Sequence, residues 1–272
     1  MRAAVVGHVE WVDFLRVESV PRPGEIVHAS DSWAEAAGGG AVAAVQLANL
    51  GCDTVFFTSL GDDDLGRRAD EELASRGVRL HVAWIGAPQR RAVTFVDDGG
   101  ERTITVIGAK HRPSGDDESL PWEELHRCDC AYFTGGDVQA LRKARHARVL
   151  VATSRELPTL RLAGVELDAL VGSATDAGER YEPGDLDPTP RLVVATSGRL
   201  GGWAQPGGPF AAAEPPGPIE DAYGAGDCFA AGLAFALGRG DETRDALAFA
   251  ARCGATVVSG RGAYGRQLAA PG

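Results

Sequence analysis

Asp227 closes a stretch, Gly224-Ala225-Gly226-Asp227, that sheds side chains just before an almost wholly apolar segment running from Cys228 to Gly238. A glycine-rich turn feeding a helix presents unpaired backbone N–H groups beside the positive end of the helix dipole. That makes a seat for an anion such as a transferring phosphoryl group. The small residues Gly224, Ala225 and Gly226 let the anion approach, and an acid in the first turn can take a proton from an attacking hydroxyl while the amides steady the phosphoryl oxygens. The apolar run would anchor this arrangement in the core. The same residues also satisfy a plainer description, a buried helix with an aspartate cap and a glycine-rich lead-in. Their surroundings must decide between the two.

Other groups suggest other chemistry. Gly38, Gly39 and Gly40 open "GGGAVA", a loose fit to the G-x-G-x-x-A dinucleotide loop, with Asp62 or Asp63 about 20 residues further on. Such a loop must directly follow a buried strand, whereas "SDSWAEAA" precedes this one, so a dehydrogenase is set aside. Cys128 and Cys130 can share a strand face, but no His or Cys at ligand spacing accompanies them, and no metal is expected there. The five cysteines form no C-x-x-C pair, which suits a reducing compartment. The net charge of −11 is spread out, without a Lys/Arg cluster to track phosphates, and nucleic acid is not an expected partner. No leader-like segment opens the chain, and no run reaches the roughly 18 apolar residues a membrane span needs. A soluble, cytoplasmic protein is expected.

The elements that must position these residues follow from periodicity. The 272 residues, 44% of them hydrophobic, suffice for one large α/β domain. Apolar β-rich runs ("RAAVVGHV", "TVFFTSLG", "CAYFTGG", "ARVLVAT", "LDALVGS", "RLVVATSG") are separated by helix-patterned stretches such as 41–50, 65–76 and 242–259. That alternation predicts βαβ units around a mostly parallel sheet. Two stretches break it: 13–33, interrupted by "PRPGE", and 90–107, where "AVTFV" and "RTITV" flank "DDGGE" as a hairpin would. They are expected to form a small second sheet. The Pro/Gly-rich segment 206–218 reads as a connection.

"DAYGAGD" resembles the D-T-x-G-A-G-D signature of the ribokinase/PfkB family of carbohydrate kinases, departing only at Ala222. Further stretches agree in order along nearly the whole chain. "PRPGE" resembles the lid segment, "AGGGAVAAVQLANLG" the Gly-Gly signature, "SLGDDDLG" the G-x-D-x-x-G stretch and "GGERTI" the hairpin. "VVATSGRLGG" resembles the T-x-G-x-x-G nucleotide loop, and "FAARCGATVVSGRGA" the last helix and adenine-side loop. The resemblance implies a ribokinase-like three-layer α/β/α sandwich, one domain over residues 1–272, with lid segments at about 13–33 and 90–107.

It implies a function as well. The catalytic base falls on Asp227 and the anion hole on Gly224, Ala225 and Gly226. ATP contacts fall on Thr196, Gly198, Gly201 and Gly262, and Asp221 matches an aspartate that in many relatives helps bind a monovalent cation such as K⁺. The family's N-x-x-E stretch, which organises Mg²⁺, is represented by Ser173-Ala174-Thr175-Asp176, with Glu179 just beyond; Asp176 keeps a carboxylate able to hold a metal-bound water. On the acceptor side, Gly38, Gly39 and Gly40 can bring amides against substrate. The ribose-contacting Asn and Asp of ribokinases fall, however, on Glu10 and Val12, and a following Asn falls on Val42. Strand alternation puts His8, Glu10 and Val12 on one face and Asp13 on the other unless the strand bulges. Glu10 is therefore the better hydroxyl contact, with Asp13 the alternative.

The expected activity is transfer of the γ-phosphoryl group of ATP to a hydroxymethyl group of a sugar or sugar-like acceptor. Alternatives are a nucleoside kinase of the same family and, more remotely, a non-catalytic small-ligand sensor. Free ribose is not the expected best acceptor. The lid edges are those that relatives often pair into a homodimer.

Overall fold

A computed structural model describes residues 1–270. Its strands are β1 (Arg2–Val6), β2 (Glu10–Arg16), β3 (Asp31–Ala37), β4 (Asp53–Gly61), β5 (Arg79–Ile85), β6 (Arg91–Val96), β7 (Arg102–Ile107), β8 (Cys130–Phe133), β9 (Val149–Thr153), β10 (Ala169–Ser173), β11 (Val193–Thr196), β12 (Gly202–Gln205) and β13 (Gly208–Phe210). The helices are α1 (Gly39–Asn49), α2 (Asp64–Ser75), α3 (Val138–Ala144), α4 (Leu157–Ala163), α5 (Ala225–Arg239) and α6 (Thr243–Val257).

Nine strands form one sheet in the order β13-β12-β11-β10-β9-β8-β1-β4-β5, parallel except for the β12 and β13 edge. Strand side chains alternate between faces, so Ala3 and Val5 enter one core layer and Ala4 and Val6 the other. The first layer contains the apolar faces of α1, α5 and α6, and the second those of α3 and α4. Helices on both faces explain why the central strands read as continuous apolar runs.

The six apolar runs named above are all strands of this sheet, and α1, α2 and α6 fall where periodicity placed them. The stretch 206–218 is more than a connection, because Gly208–Phe210 pairs with β12 as an edge strand. Its Pro and Gly content suits an edge and hid it from pattern reading.

The remaining strands make a four-stranded sheet in the order β3-β2-β6-β7. β6 and β7 are the antiparallel hairpin expected from "DDGGE", whose turn is closed by Asp97 Oδ1 accepting from the amides of Gly99 and Glu101. The small sheet covers a third apolar layer in which Val12, Phe14, Ala92 and Val96 meet Val42, Tyr223 and Cys228. "SDSWAEAA", read as too polar for a strand, is β3 and leads straight into the glycine run. It pairs antiparallel with β2 in this mixed sheet, and only its last three residues are buried, so the buried parallel strand a dinucleotide loop requires is still not the element before Gly38.

Candidate active site

α5 begins at Ala225, and its cap, Gly224, holds φ +78°, a left-handed conformation that costs a side-chain-bearing residue energy. A Cβ at Gly224 would also stand 2.8 Å from Val42 Cγ1, so glycine is required there twice over. No side chain caps the helix; Ala225 N–H reaches Ala222 O at 3.5 Å, and the amides of Gly226 and Asp227 are left to an outside acceptor. Gly226 has no protein atom within 4 Å of where a Cβ would lie, and its φ is not positive. It faces open space beside the helix terminus.

Asp227 lies in the same turn, against Gly39 at the start of α1. A Cβ on Gly39 would come within 2.7 Å of Asp227 Oδ1 and 2.9 Å of Thr134 Oγ1. The Tyr132 hydroxyl lies 3.5 Å from Asp227 Oδ1. Burial pushes the Asp227 carboxyl up to about 6, and the charge of Glu179 adds to the push against the opposing pull of Arg102, Arg155 and Lys110. A carboxylate raised toward neutrality, beside unpaired amides and open space, can accept a proton from a hydroxyl attacking an anion seated on the helix.

The glycine run divides its work. Gly38 donates its N–H to Tyr223 Oη at 3.1 Å and approaches the side chains of Glu10 and His8. Gly39 faces Asp227, whereas a Cβ on Gly40 would strike Phe56 Cζ and the His8 backbone, so Gly40 seats α1 against β4 and the loop that follows β1. Glu10 is buried and ion-paired with Arg90, Nε to Oε1 2.7 Å. Burial raises its carboxyl against the opposing charges of Arg90 and Lys110. Asp13 points to the other face of the lid, where it accepts from Arg91 at 2.8 Å.

Asp221 is fully buried and accepts from the amides of Tyr223 (2.8 Å) and Gly262 (3.1 Å). Gly262 sits under Trp33 and Glu35, and its N–H is engaged inside the protein. Thr196 ends β11 beside Ser173 of β10 and donates its hydroxyl to Gly172 O at 3.2 Å. Gly198 is open, while Gly201 packs on Phe210. The loop from Thr196 to Gly201 follows the carboxyl end of the parallel strand β11, where ligands of open α/β sheets bind.

At the end of β10, Asp176 is exposed, caps the following turn through Gly178 N and is held by Arg155, whose hydrogen bond lowers its carboxyl below the ordinary range. Glu179 is less exposed, also pairs with Arg155, and is the carboxylate whose charge reaches Asp227. Among the described residues no group of three or more His, Cys, Asp or Glu side chains converges as metal ligands. The pair Asp176 and Glu179 therefore suits an ion carried mainly by phosphate oxygens and water, as Mg²⁺ is.

Sequence reasoning assigned no site role to His8, Arg90, Lys110, Arg112, Tyr132, Thr134 and Glu156, which pack around Glu10, Gly39, Gly135 and Asp227 or brace the groups that do. The available signal was "FTGG" directly after β8, a polar and glycine-rich stretch at the carboxyl end of a buried strand. It also passed over the contact between lid and signature. Gly100 O accepts from Ala222 N at 3.1 Å, and Arg102 donates to Ala222 O at 2.7 Å, which ties the hairpin to the loop before Asp227.

The model of the pfkB carbohydrate kinases matches residues 2–156 and 138–269. The chain belongs to the pfkB family of carbohydrate kinases. This family member is 32% identical over 287 residues to an ATP-dependent ribose-1-phosphate kinase of Halopiger xanaduensis, covering 97% of this chain and 94% of that protein. Its fold matches a ribokinase from Thermotoga maritima at a TM-score of 0.77 and 20% identity, over 99% of this chain and 96% of the other. An adenosine kinase from Sinorhizobium meliloti gives a TM-score of 0.78 at 19% identity, over 96% and 95%. The pfkB kinase is thus a ribokinase-fold phosphotransferase of a family that acts on sugar hydroxyl groups. No helix among its described residues is long and apolar enough to cross a membrane.

Proposed function

We propose that this kinase transfers the γ-phosphoryl group of ATP to a hydroxymethyl group of a sugar-type acceptor, with Asp227 as general base. The observation that carries the reading is the placement of Asp227, its carboxyl raised to about 6, in the first turn of α5 beside amides without a side-chain cap. Asp227 takes the hydroxyl proton, the hydroxyl oxygen bonds to the γ-phosphorus, and the bridging P–O bond breaks with its electron pair leaving on ADP. The anion hole of Gly224, Ala225 and Gly226 meets the charge on the phosphoryl oxygens, chiefly through the Gly226 N–H, since Ala225 N–H also reaches Ala222 O. Arg102, tied to the signature loop, brings a positive charge to the same region.

Thr196, Gly198 and Gly201 shape the ATP side, with Gly262 bracing the loop behind it. Mg²⁺ would be held through water by Asp176 and Glu179, and supplies charge neutralisation for the phosphates. Asp221 is a buried carboxylate with no ion pair among the described residues, which suits a neighbouring monovalent cation such as K⁺. Closing of the lid would exclude water from the reacting phosphoryl group.

The acceptor is a modified sugar or a nucleoside rather than free ribose. Val12 and Val42 lie in the apolar layer under the lid and offer no hydrogen bond, and Glu10 is committed to Arg90. The Halopiger relative is named for a sugar that already carries a phosphate, which supports a modified acceptor. The five cysteines are free and buried, as suits the reducing cytoplasm. A homodimer would form through the lid edge, where Ile104, Val106 and Ile107 of β7 are 41%, 44% and 46% exposed.

A coupled assay of ATP consumption over sugars, sugar phosphates and nucleosides tests the activity. Turnover dependent on one class of acceptor is expected, and a folded, ATP-binding protein inert toward all of them would favour the sensor.

A further inference from the structure

Beyond Asp227, past Thr134 and Gly135, stand cations that the phosphoryl-transfer chemistry does not use. Lys110 Nζ donates to Glu156 Oε1 at 2.6 Å and to Thr134 O at 3.0 Å, and Arg112 pairs with the other oxygen of the same carboxylate. Glu156 is 3% exposed, Lys110 15% and Arg112 42%, so a buried carboxylate holds two cations whose heads approach the surface. Arg90 stands close by on Glu10. Three cations thus face two carboxylates, and the Nδ1 atom of His8, also buried, has no hydrogen-bond partner.

These groups converge on one place. A Cβ on Gly135 would lie 3.4 Å from Lys110 Nζ and 3.5 Å from His8 Nδ1. Gly135 follows Thr134, whose hydroxyl flanks Gly39 together with Asp227. An acceptor lying over Gly39 and Gly135 would place one end at the base and the other at the cations. Like charge already crowds that far end, since burial and the neighbouring arginines Arg112 and Arg90 lower the ammonium of Lys110 against the pull of Glu156. Burial first, and then Lys110, keep His8 neutral and able to donate one ring N–H.

We propose that Lys110 and Arg112, with His8 beside them, bind an anionic phosphomonoester on the acceptor, remote from the hydroxyl that is phosphorylated, and so select a sugar phosphate. The inference rests on the kinase reading above and adds the recognition of the acceptor's far end. Lys110 supplies a point charge that Glu156 and Thr134 fix in place, and the Arg112 fork can offer a phosphate two donors. A neutral sugar would leave the excess positive charge without an anion.

The test is kcat/KM for ribose 1-phosphate, ribose and adenosine under one set of ATP and magnesium concentrations, in the wild type, Lys110→Met, Arg112→Met and Lys110→Met/Glu156→Gln. The double variant removes both charges of the most buried pair, which keeps the measurement meaningful if Lys110→Met alone folds poorly. The wild type should favour ribose 1-phosphate over ribose by at least about tenfold, a discrimination typical of a lost charged contact. Each variant should cut that ratio at least about tenfold, mainly through KM for the phosphorylated acceptor. Inorganic phosphate should compete with ribose 1-phosphate in the wild type and lose that effect in the variants. Robust turnover that favours ribose or adenosine, or a ratio unchanged across the folded variants, would overturn the anion site and leave the kinase reading standing. Absence of turnover with every acceptor would strike the kinase reading itself.

Discussion

Asp227 is held by what surrounds it on every side. Gly39 gives it room, Tyr132 approaches one oxygen, and the start of α5 surrounds it with amides. A general base must be ionised before it can take a proton, so its raised position near 6 fixes the sign of the pH dependence. The free enzyme should lose kcat/KM as pH falls through about 6, with a slope approaching one proton, and hold a plateau above. A profile flat down to the ordinary aspartate range near 4 would remove Asp227 from that role. The neighbouring carboxylates have separate tasks. Glu10 belongs to Arg90, Asp221 joins two loops through backbone amides, and Asp13 sits on the outer face of the lid. Alternation along β2 gave the sides of Glu10 and Asp13 correctly, because an unbulged strand leaves no other choice.

The glycines at the head of α5 differ: one is confined by its backbone and neighbours, and the other faces open space. Gly224 carries the left-handed turn and touches Val42, so Gly224→Ala should destabilise the protein by about 1–3 kcal/mol, read as a lower melting temperature. Gly226 is helical and open, so Gly226→Val should leave stability within about 0.5 kcal/mol while activity is lost, because the branched side chain fills the space beside the amides. Unchanged turnover in Gly226→Val would show that no phosphoryl group approaches there. From sequence the two glycines look alike, since spacing does not reveal which residue takes positive φ. The signature and six of the nine strands of the large sheet were legible because each is a local pattern of turn residues and periodicity, whereas β5, a sheet edge with a mostly half-buried pattern, was not named. β12 and the edge strand β13 are short and each begins with glycine, and Lys110 and Arg112 meet Glu156 only through tertiary folding, so no local pattern marks them.

Over the whole molecule, the lid hairpin and the catalytic turn form one continuous structure, joined through Gly100, Arg102 and Ala222. Ile104 and Val106 pair with Thr94 and Ala92, which are buried, and so lie on the inner face of the lid, exposed at its edge. If that edge is a dimer contact, Ile104→Glu should convert a dimer into a monomer in sedimentation equilibrium, whereas a monomeric wild type would contradict the pairing. The central claim is that the large sheet, the lid and α5 together place Asp227 as the base of a phosphoryl transfer. Turnover of purified Asp227→Asn tests it most directly. The fold favours the neutral form of this carboxyl, so ionising it costs stability above pH 6 and the amide should hold or raise the melting temperature at pH 8. With folding and ATP binding intact, kcat should fall by at least about 10²-fold, the lower range for loss of a general base. Near-wild-type kcat in that folded variant would contradict the account.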